Sequence, residues 1–197
     1  MTATKSTDLP PAAAWRHLGA REGFEVVFLH AEPDGYRFEG HSTGVEEGQA
    51  WGIRYSLSVD TSWRTRGAYV VSRSALGARE LTLEGDGVGG WRVDGGRAPP
   101  EIAGCLDVDL EASAFTNALP VHRLRLGIGE RADAPAVYVR ALDLSVERLD
   151  QTYARLEDDG DHTRYHYAGP RFNYEDQLVY DRFGLVLDYP GLAVRVH

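Results

Sequence analysis

The sequence predicts a mainly β protein, with an antiparallel sheet and one or two short helices. Its apolar residues recur at every second position, which is the period of a strand with one buried face and one face in water. The clearest case is residues 51–60, where Trp51, Ile53 and Tyr55 begin an alternation with polar residues. Clusters of Gly, Pro and Asp bound such segments, as is typical of hairpins.

The alternation recurs along most of the chain, so the sheet is predicted to have many strands. Further alternating segments are Phe24-Val26-Phe28, Tyr36-Phe38, Leu81-Leu83, Leu106-Val108-Leu110, Val137-Val139, Tyr165-Tyr167 and Leu192-Val194-Val196. Turn signals fall at residues 33–35, 46–48, 85–87, 94–96, 158–160 and 181–184.

Two stretches are predicted as short helices, residues 11–18 and residues 113–118. In the second, Ser113 is placed to cap a single turn before Pro120. The length of 197 residues fits one domain. We expect residues 1–14 to be a flexible N-terminal tail and residues 15–197 to form a single domain.

Composition excludes several classes of protein. The hydrophobic fraction of 43% with 26% charged residues is ordinary for a soluble globular protein. No apolar run approaches the roughly 20 residues of a membrane span. The formal net charge of −9 disfavours nucleic acid and anionic membrane surfaces as partners. No apolar segment follows Lys5, so we expect a cytoplasmic protein.

Two short motifs are interpreted as structural features and not as functional sites. Residues 85–90 read G-x-G-x-x-G, but a short alternating segment follows them where a phosphate site needs a helix, so a hairpin loop is predicted. The single Cys105 is either a thiol nucleophile or a small buried apolar residue, and its apolar neighbourhood favours the second.

Three carboxylates share one face of a predicted strand, at Asp107, Asp109 and Glu111. Close carboxylates raise each other's pKa, as in general acids. The face is either solvated or a polar wall of a cavity. The segment also resembles the start of a calcium loop, but Ala112 and Ala118 stand where that loop has Gly and Glu. No metal or other cofactor is predicted.

Other catalytic patterns are weak. His122 is interpreted as a surface strand residue or as part of a basic rim with Arg123 or Arg125. His162 and His166 lie four apart in a β segment, which separates them too far for a metal pair. The aromatic residues, four Trp and ten Tyr among them, are expected mostly in the core, with the remainder lining a groove.

Several segments resemble the glycolipid-binding protein family of bacteria. They are DTSWRTR at 60–66, GWRVDG at 90–95, GCLDVDL at 104–110, FTNALPVHRL at 115–124, QTY at 151–153 and LVLDYP at 185–190. The resemblance implies a spiral β-roll, or half-open barrel, similar to the lipoprotein carriers of the bacterial envelope, with a curved sheet around an apolar cavity. Those carriers are exported, whereas this sequence shows no signal peptide.

The leading hypothesis is a non-enzymatic module that binds a glycolipid or an acylated small molecule. The predicted ligand contacts are Trp63, Arg64, Arg66, Asp107, Asp109, Asn117, His122 and Arg123. Trp63 and Asn117 are equally compatible with structural roles. Two other functions remain open: an enzyme acting on a glycolipid or sugar through Asp107 and Asp109 with His122 nearby, and a scaffold that forms a homodimer through a sheet edge.

Overall fold

Two β-sheets, of fourteen and three strands, organise the part of the chain that the structure describes. The computed structural model describes residues 9–19, 21–46 and 48–197. Of the predicted flexible tail, residues 1–14, the first eight residues lie outside the described residues, whereas residues 12–14 belong to the first strand.

The first eight strands form a continuous antiparallel meander. They are Ala12–His17 (β1), Arg21–Glu32 (β2), Gly35–Glu46 (β3), Gln49–Asp60 (β4), Thr65–Ser74 (β5), Gly77–Gly85 (β6), Trp91–Val93 (β7) and Gly96–Arg97 (β8). All five apolar residues predicted to face inward from β4 are buried, which confirms the alternation there.

The middle of the chain supplies the small sheet and the helix. After a 3-10 turn at Pro100–Ile102 come Asp107–Leu110 (β9), a 3-10 turn at Phe115–Asn117, the helix Ala118–Leu124 (α1), Arg131–Asp133 (β10), Ala136–Val139 (β11) and Val146–Leu149 (β12). In the small sheet β11 pairs antiparallel with β12 and parallel with β9.

The last strands return to the large sheet. They are Thr152–Arg155 (β13), Thr163–Gly169 (β14), Tyr174–Tyr180 (β15), Val186–Tyr189 (β16) and Ala193–Arg195 (β17), with a 3-10 turn at Pro170–Phe172. Strand β17 pairs with β1, which joins the two halves of the chain in one sheet. The edges of that sheet are β10 and β8, so it does not close. The predicted mainly antiparallel fold is confirmed.

The segment 113–124 packs on the inner face of the large sheet. The Phe115 ring lies 4.7 Å from Phe38 and 6.4 Å from Trp15, between ring centroids. Within the segment 113–118, which the sequence predicts to be helical, helical structure begins at Phe115 as a 3-10 turn and continues as α1 to Leu124. The Thr116 amide donates to Ser113 Oγ, as predicted for a capping residue. Pro120 is tolerated there because first-turn amides have no intrahelical acceptor.

Two predictions about local structure are wrong. The segment 11–18 is not a helix but contains β1, because β2 and β17 pair with it on both sides and its alternate residues Ala13, Trp15 and His17 are buried. In β2 the predicted inward face is inverted: Phe24 and Phe28 are exposed, while the intervening Glu25 and Val27 are fully buried.

The two short motifs have the structures predicted for them. Residues 86–90 form the loop between β6 and β7, where Asp86 Oδ1 accepts hydrogen bonds from the amides of Val88 and Gly90. Those amides are therefore not available to a phosphate. Cys105 is fully buried, and burial raises the pKa of its thiol to about 11.

Candidate ligand cavity

A cavity of about 340 Å³ lies between the small sheet and the part of the large sheet that contains β1 and β14–β17. Most of the side chains that line it are apolar or tyrosine. Polar lining residues include His17, Arg21 and Asp109. The cavity therefore combines an apolar wall with a small set of hydrogen-bonding groups, as ligand sites do.

Three tyrosines form one wall, and we call them the tyrosine triad: Tyr167, Tyr174 and Tyr189. Their ring centroids lie 5.5 to 6.0 Å apart, with tilted or edge-on geometry. The Tyr174 hydroxyl donates to the Pro190 carbonyl oxygen at 2.9 Å. Burial raises the pKa of all three hydroxyls, so they remain neutral at physiological pH.

The opposite wall, residues 111–114, is held in place by a buried carboxylate. Glu25 Oε2 accepts from the Ala114 amide at 2.8 Å, and Glu25 Oε1 accepts from the Tyr55 hydroxyl at 2.6 Å. The Ser113 hydroxyl also donates to this carboxylate. Burial raises the Glu25 pKa, and these hydrogen bonds oppose the rise. Glu25 thus ties the wall to the inner face of β2.

Asp109 reaches the cavity from β9. Thr116 Oγ1 donates to Asp109 Oδ1 at 2.9 Å, and no cation pairs with this carboxyl among the described residues. Burial, with a smaller contribution from Asp107 and Glu111, raises the Asp109 pKa to about 7. The carboxyl therefore keeps its proton to a much higher pH than an ordinary aspartate does. The alternative of a solvated face does not hold for Asp107, which is only 1% exposed.

Asn117 closes the inner end of the cavity. Its side-chain oxygen accepts from the Tyr153 hydroxyl at 2.9 Å, and its backbone oxygen accepts from Tyr180 at 3.4 Å. Tyr153 on β13 therefore holds the Asn117 side chain, and Tyr180 on β15 holds its backbone, without any contact from a ligand.

The most polar corner lies at the end of β1. Arg21 and Glu46 face each other across β2 and β3, with 3.0 Å between Nη2 and Oε2. Arg21 Nη1 donates to the Glu111 carbonyl oxygen at 2.6 Å, and the guanidinium carbon lies 5.3 Å from the centre of the Trp51 ring. Beside them, His17 is 6% exposed and its Nδ1 has no hydrogen-bond partner among the described residues.

Of the eight predicted ligand contacts, Asp109 and Asn117 line this cavity. Asp107 and Arg123 do not line it; they form a buried pair, in which Nη2 donates to Oδ2 at 2.6 Å and Nε donates to Oδ1 at 2.9 Å. Asp107 and Asp109 therefore do not face the cavity together.

The other four predicted contacts lie elsewhere. Trp63 stacks on His122, which lies in α1 and not on a surface strand. Arg64 Nη1 donates to the Gly87 carbonyl oxygen, and Arg66 lies 3.9 Å from Asp60 Oδ2. Both arginines therefore belong to the region around the β4–β5 turn.

The sequence missed His17 and Arg21 as cavity residues. His17 lay in a predicted helix, and the Arg21–Glu46 pair joins residues 25 positions apart with no local motif. The sequence predicts that some aromatic residues line a groove, and the tyrosine triad agrees with that prediction. No local sequence pattern, however, distinguishes these three tyrosines from those in the core.

The fold and cavity define a class of protein: an open antiparallel β-roll that encloses a small, partly polar cavity. Residues 12–195 match the family described as "Putative glycolipid-binding", and the chain belongs to this family. No helix in the described part of the chain is long and apolar enough to cross a membrane.

Two solved structures are similar. A crystal structure of a DUF1089 family protein from Pseudomonas aeruginosa is 32% identical, with a TM-score of 0.74, and the alignment covers 100% of this chain and 98% of that one. A β-barrel-like protein of a domain of unknown function, DUF1849, from Brucella abortus shares the fold at 11% identity, with a TM-score of 0.50 and 95% of each chain covered. No curated protein matches the chain.

Proposed function

We propose that the protein is a non-enzymatic binding module whose cavity takes one end of an amphiphilic molecule, such as a glycolipid or an acylated small molecule. The observation that carries the proposal is the cavity of about 340 Å³, which the protein's own side chains leave unfilled beside an otherwise well-packed core. Each methylene group buried there would contribute about 0.8 kcal/mol to binding.

The size of the cavity limits what it can hold. Ligand cavities span roughly 300 to 1,000 Å³, so this one is near the lower end of the range. It suits a single short chain or one small head group, and not a complete two-chain lipid. The rest of a larger amphiphile would stay outside the cavity.

Binding is a better interpretation than hydrolysis by the predicted carboxylate pair. A pair of acid and base groups must reach one substrate from the same site. Arg123 occupies both oxygens of Asp107, which lies outside the cavity. The function description of the family also favours binding.

The proposal is tested by native mass spectrometry of freshly purified protein, followed by lipid analysis of an organic extract. Ala193 lines the cavity and lies opposite His17 in the pairing of β17 with β1. The variant Ala193→Leu therefore fills part of the cavity beside His17. Its matched control is Ala14→Leu, on the opposite face of neighbouring β1. We expect a stoichiometric amphiphile on the wild type and on Ala14→Leu, and none on Ala193→Leu. Protein that stays empty after incubation with lipid extract would contradict the proposal.

A further inference from the structure

Among the residues that the structure describes, each cation at the cavity already has an anionic partner. Arg21 pairs with Glu46 at 3.0 Å, and Arg140, just outside the lining, lies 3.6 Å from Glu111 Oε2. The remaining lining carboxyl, Asp109, has only the Thr116 hydroxyl as partner. An anionic ligand group would therefore find no free positive charge here and would meet carboxylates, which is costly in a partly buried site.

His17 offers an uncharged polar atom in the same corner. The His17 side chain lines the cavity, and only 6% of the residue's surface is exposed. Its Nδ1 has no hydrogen-bond partner among the residues that the structure describes. Burial, aided by nearby Arg21, lowers the His17 pKa to about 4, so the ring is neutral at physiological pH. A neutral imidazole donates from one nitrogen and accepts at the other, which matches a hydroxyl group.

The tyrosine triad adds neutral groups of the same kind. Each phenol oxygen can accept a hydrogen bond, although the Tyr174 hydroxyl already donates its proton to the Pro190 carbonyl oxygen, and each ring offers an apolar face to a sugar or a chain. The Asp109 carboxyl can donate when protonated. The polar groups of the cavity therefore supply both donors and acceptors without a net positive charge.

We propose that the polar end of the cavity takes an uncharged, hydroxyl-bearing head group, such as a glycosyl or glyceryl unit, and excludes phosphate, sulfate and carboxylate head groups. His17 and the tyrosine triad contact the hydroxyl groups, and the Arg21–Glu46 pair keeps the guanidinium from attracting anions. This inference rests on the proposed function, because it assigns a specificity to that same cavity.

The test compares three soluble ligands that share one alkyl chain: 1-octanol, octyl β-glucoside and octyl phosphate. Titration calorimetry of the full-length protein, below micelle-forming concentrations, gives the three dissociation constants. We expect octyl β-glucoside to bind at least about tenfold more tightly than octyl phosphate, a difference of about 1.4 kcal/mol. Equal or tighter binding of octyl phosphate would overturn the inference.

Two variants identify the residues responsible. Glu46→Gln removes the partner of Arg21 and is expected to raise the affinity for octyl phosphate about tenfold, since a freed guanidinium attracts anions. Its matched control is Glu32→Gln, which disturbs the Arg37–Glu32 pair outside the cavity and should change no affinity. His17→Phe should weaken octyl β-glucoside binding more than 1-octanol binding, because the glucosyl unit offers several hydroxyl groups and 1-octanol offers one.

The three ligands also separate the two proposals. If none of them binds, the proposed function fails, and the head-group inference fails with it. If octyl phosphate binds as tightly as the glucoside, the cavity binds amphiphiles without this specificity, so only the head-group inference fails.

Discussion

The indole ring of Trp63 lies flat on the imidazole of His122, with 3.7 Å between ring centroids and 5° between the ring planes. Trp63 is 3% exposed and adopts a left-handed φ of 62°, which few residues other than Gly do. The stack joins the β4–β5 turn to α1. Neither ring lines the cavity, although the sequence predicts both residues as ligand contacts.

Trp63→Ala is therefore expected to destabilise the protein by about 3 to 5 kcal/mol, the usual cost of removing a large buried ring. Trp63→Phe keeps an aromatic ring against His122 and should lose less. Urea unfolding gives both free energies, and titration of folded protein gives the ligand affinity, which should not change. A variant of normal stability that has lost binding would instead place Trp63 in the ligand site.

Arg123→Leu is expected to cost about 3 to 5 kcal/mol of folding free energy, because it leaves the Asp107 carboxylate buried without a partner. Replacing both residues with leucine should recover much of that loss. Arg92→Leu is the control, since Arg92 forms an exposed pair with Glu84 at 3.7 Å and its removal should change stability little. Equal losses for the two single variants, measured by chemical unfolding, would contradict a structural role for the buried pair.

Gly40→Ala should displace the Tyr55 ring. A Cβ at Gly40 would lie 1.9 Å from Tyr55 Cζ, whereas a Cβ at Gly52 in the next strand would meet nothing within 4 Å. Moving the ring also removes the Tyr55 hydroxyl from buried Glu25. We expect Gly40→Ala to lose at least about 1 to 3 kcal/mol of stability, as overpacked cores do, and Gly52→Ala to lose little. Similar melting temperatures for the two variants would refute the close approach.

The raised pKa of Asp109 predicts a specific dependence of stability on pH. The carboxyl binds its proton more tightly in the folded protein, where its pKa is about 7, than in the unfolded chain, where it is ordinary. Proton binding by Asp109 therefore stabilises the folded protein fully below about pH 4, and this stabilisation is lost as the pH rises through about 7. The neighbouring carboxylates Asp107 and Glu111 add to the rise in the Asp109 pKa, and Asp109 in turn raises the pKa of Tyr138, Tyr153, Tyr167, Tyr180 and Tyr189.

Asp109→Asn keeps an oxygen for the Thr116 hydroxyl and removes the titration. Relative to the wild type, the variant should become more stable as pH rises from 5 to 8, measured as the free energy of unfolding at each pH. Glu84→Gln, at an exposed pair with Arg92, serves as the control, because the guanidinium does not titrate in this range. A constant difference between wild type and Asp109→Asn over this range would show that the carboxyl is not perturbed.

Much of the fold could be predicted because its signals are local. The period of two in β4 and the loop at residues 86–90 depend on neighbours in sequence, and both are confirmed. The prediction failed where local patterns are ambiguous. The alanine-rich segment 11–18 has good helix formers, but pairing with β2 and β17 made it a strand.

The sequence by itself determined that this chain forms an antiparallel β-roll of a recognisable family, because strand period, turn residues and family segments are all encoded in consecutive positions. The face of β2 that points inward could not be predicted from the sequence: in the structure Glu25 is buried and Phe24 is exposed. Only the tertiary structure brought His17, Asp109 and Tyr189 to one cavity. The physical reason is that burial and cavity formation depend on packing between strands far apart in sequence, and alternation fixes two faces without saying which one meets the core.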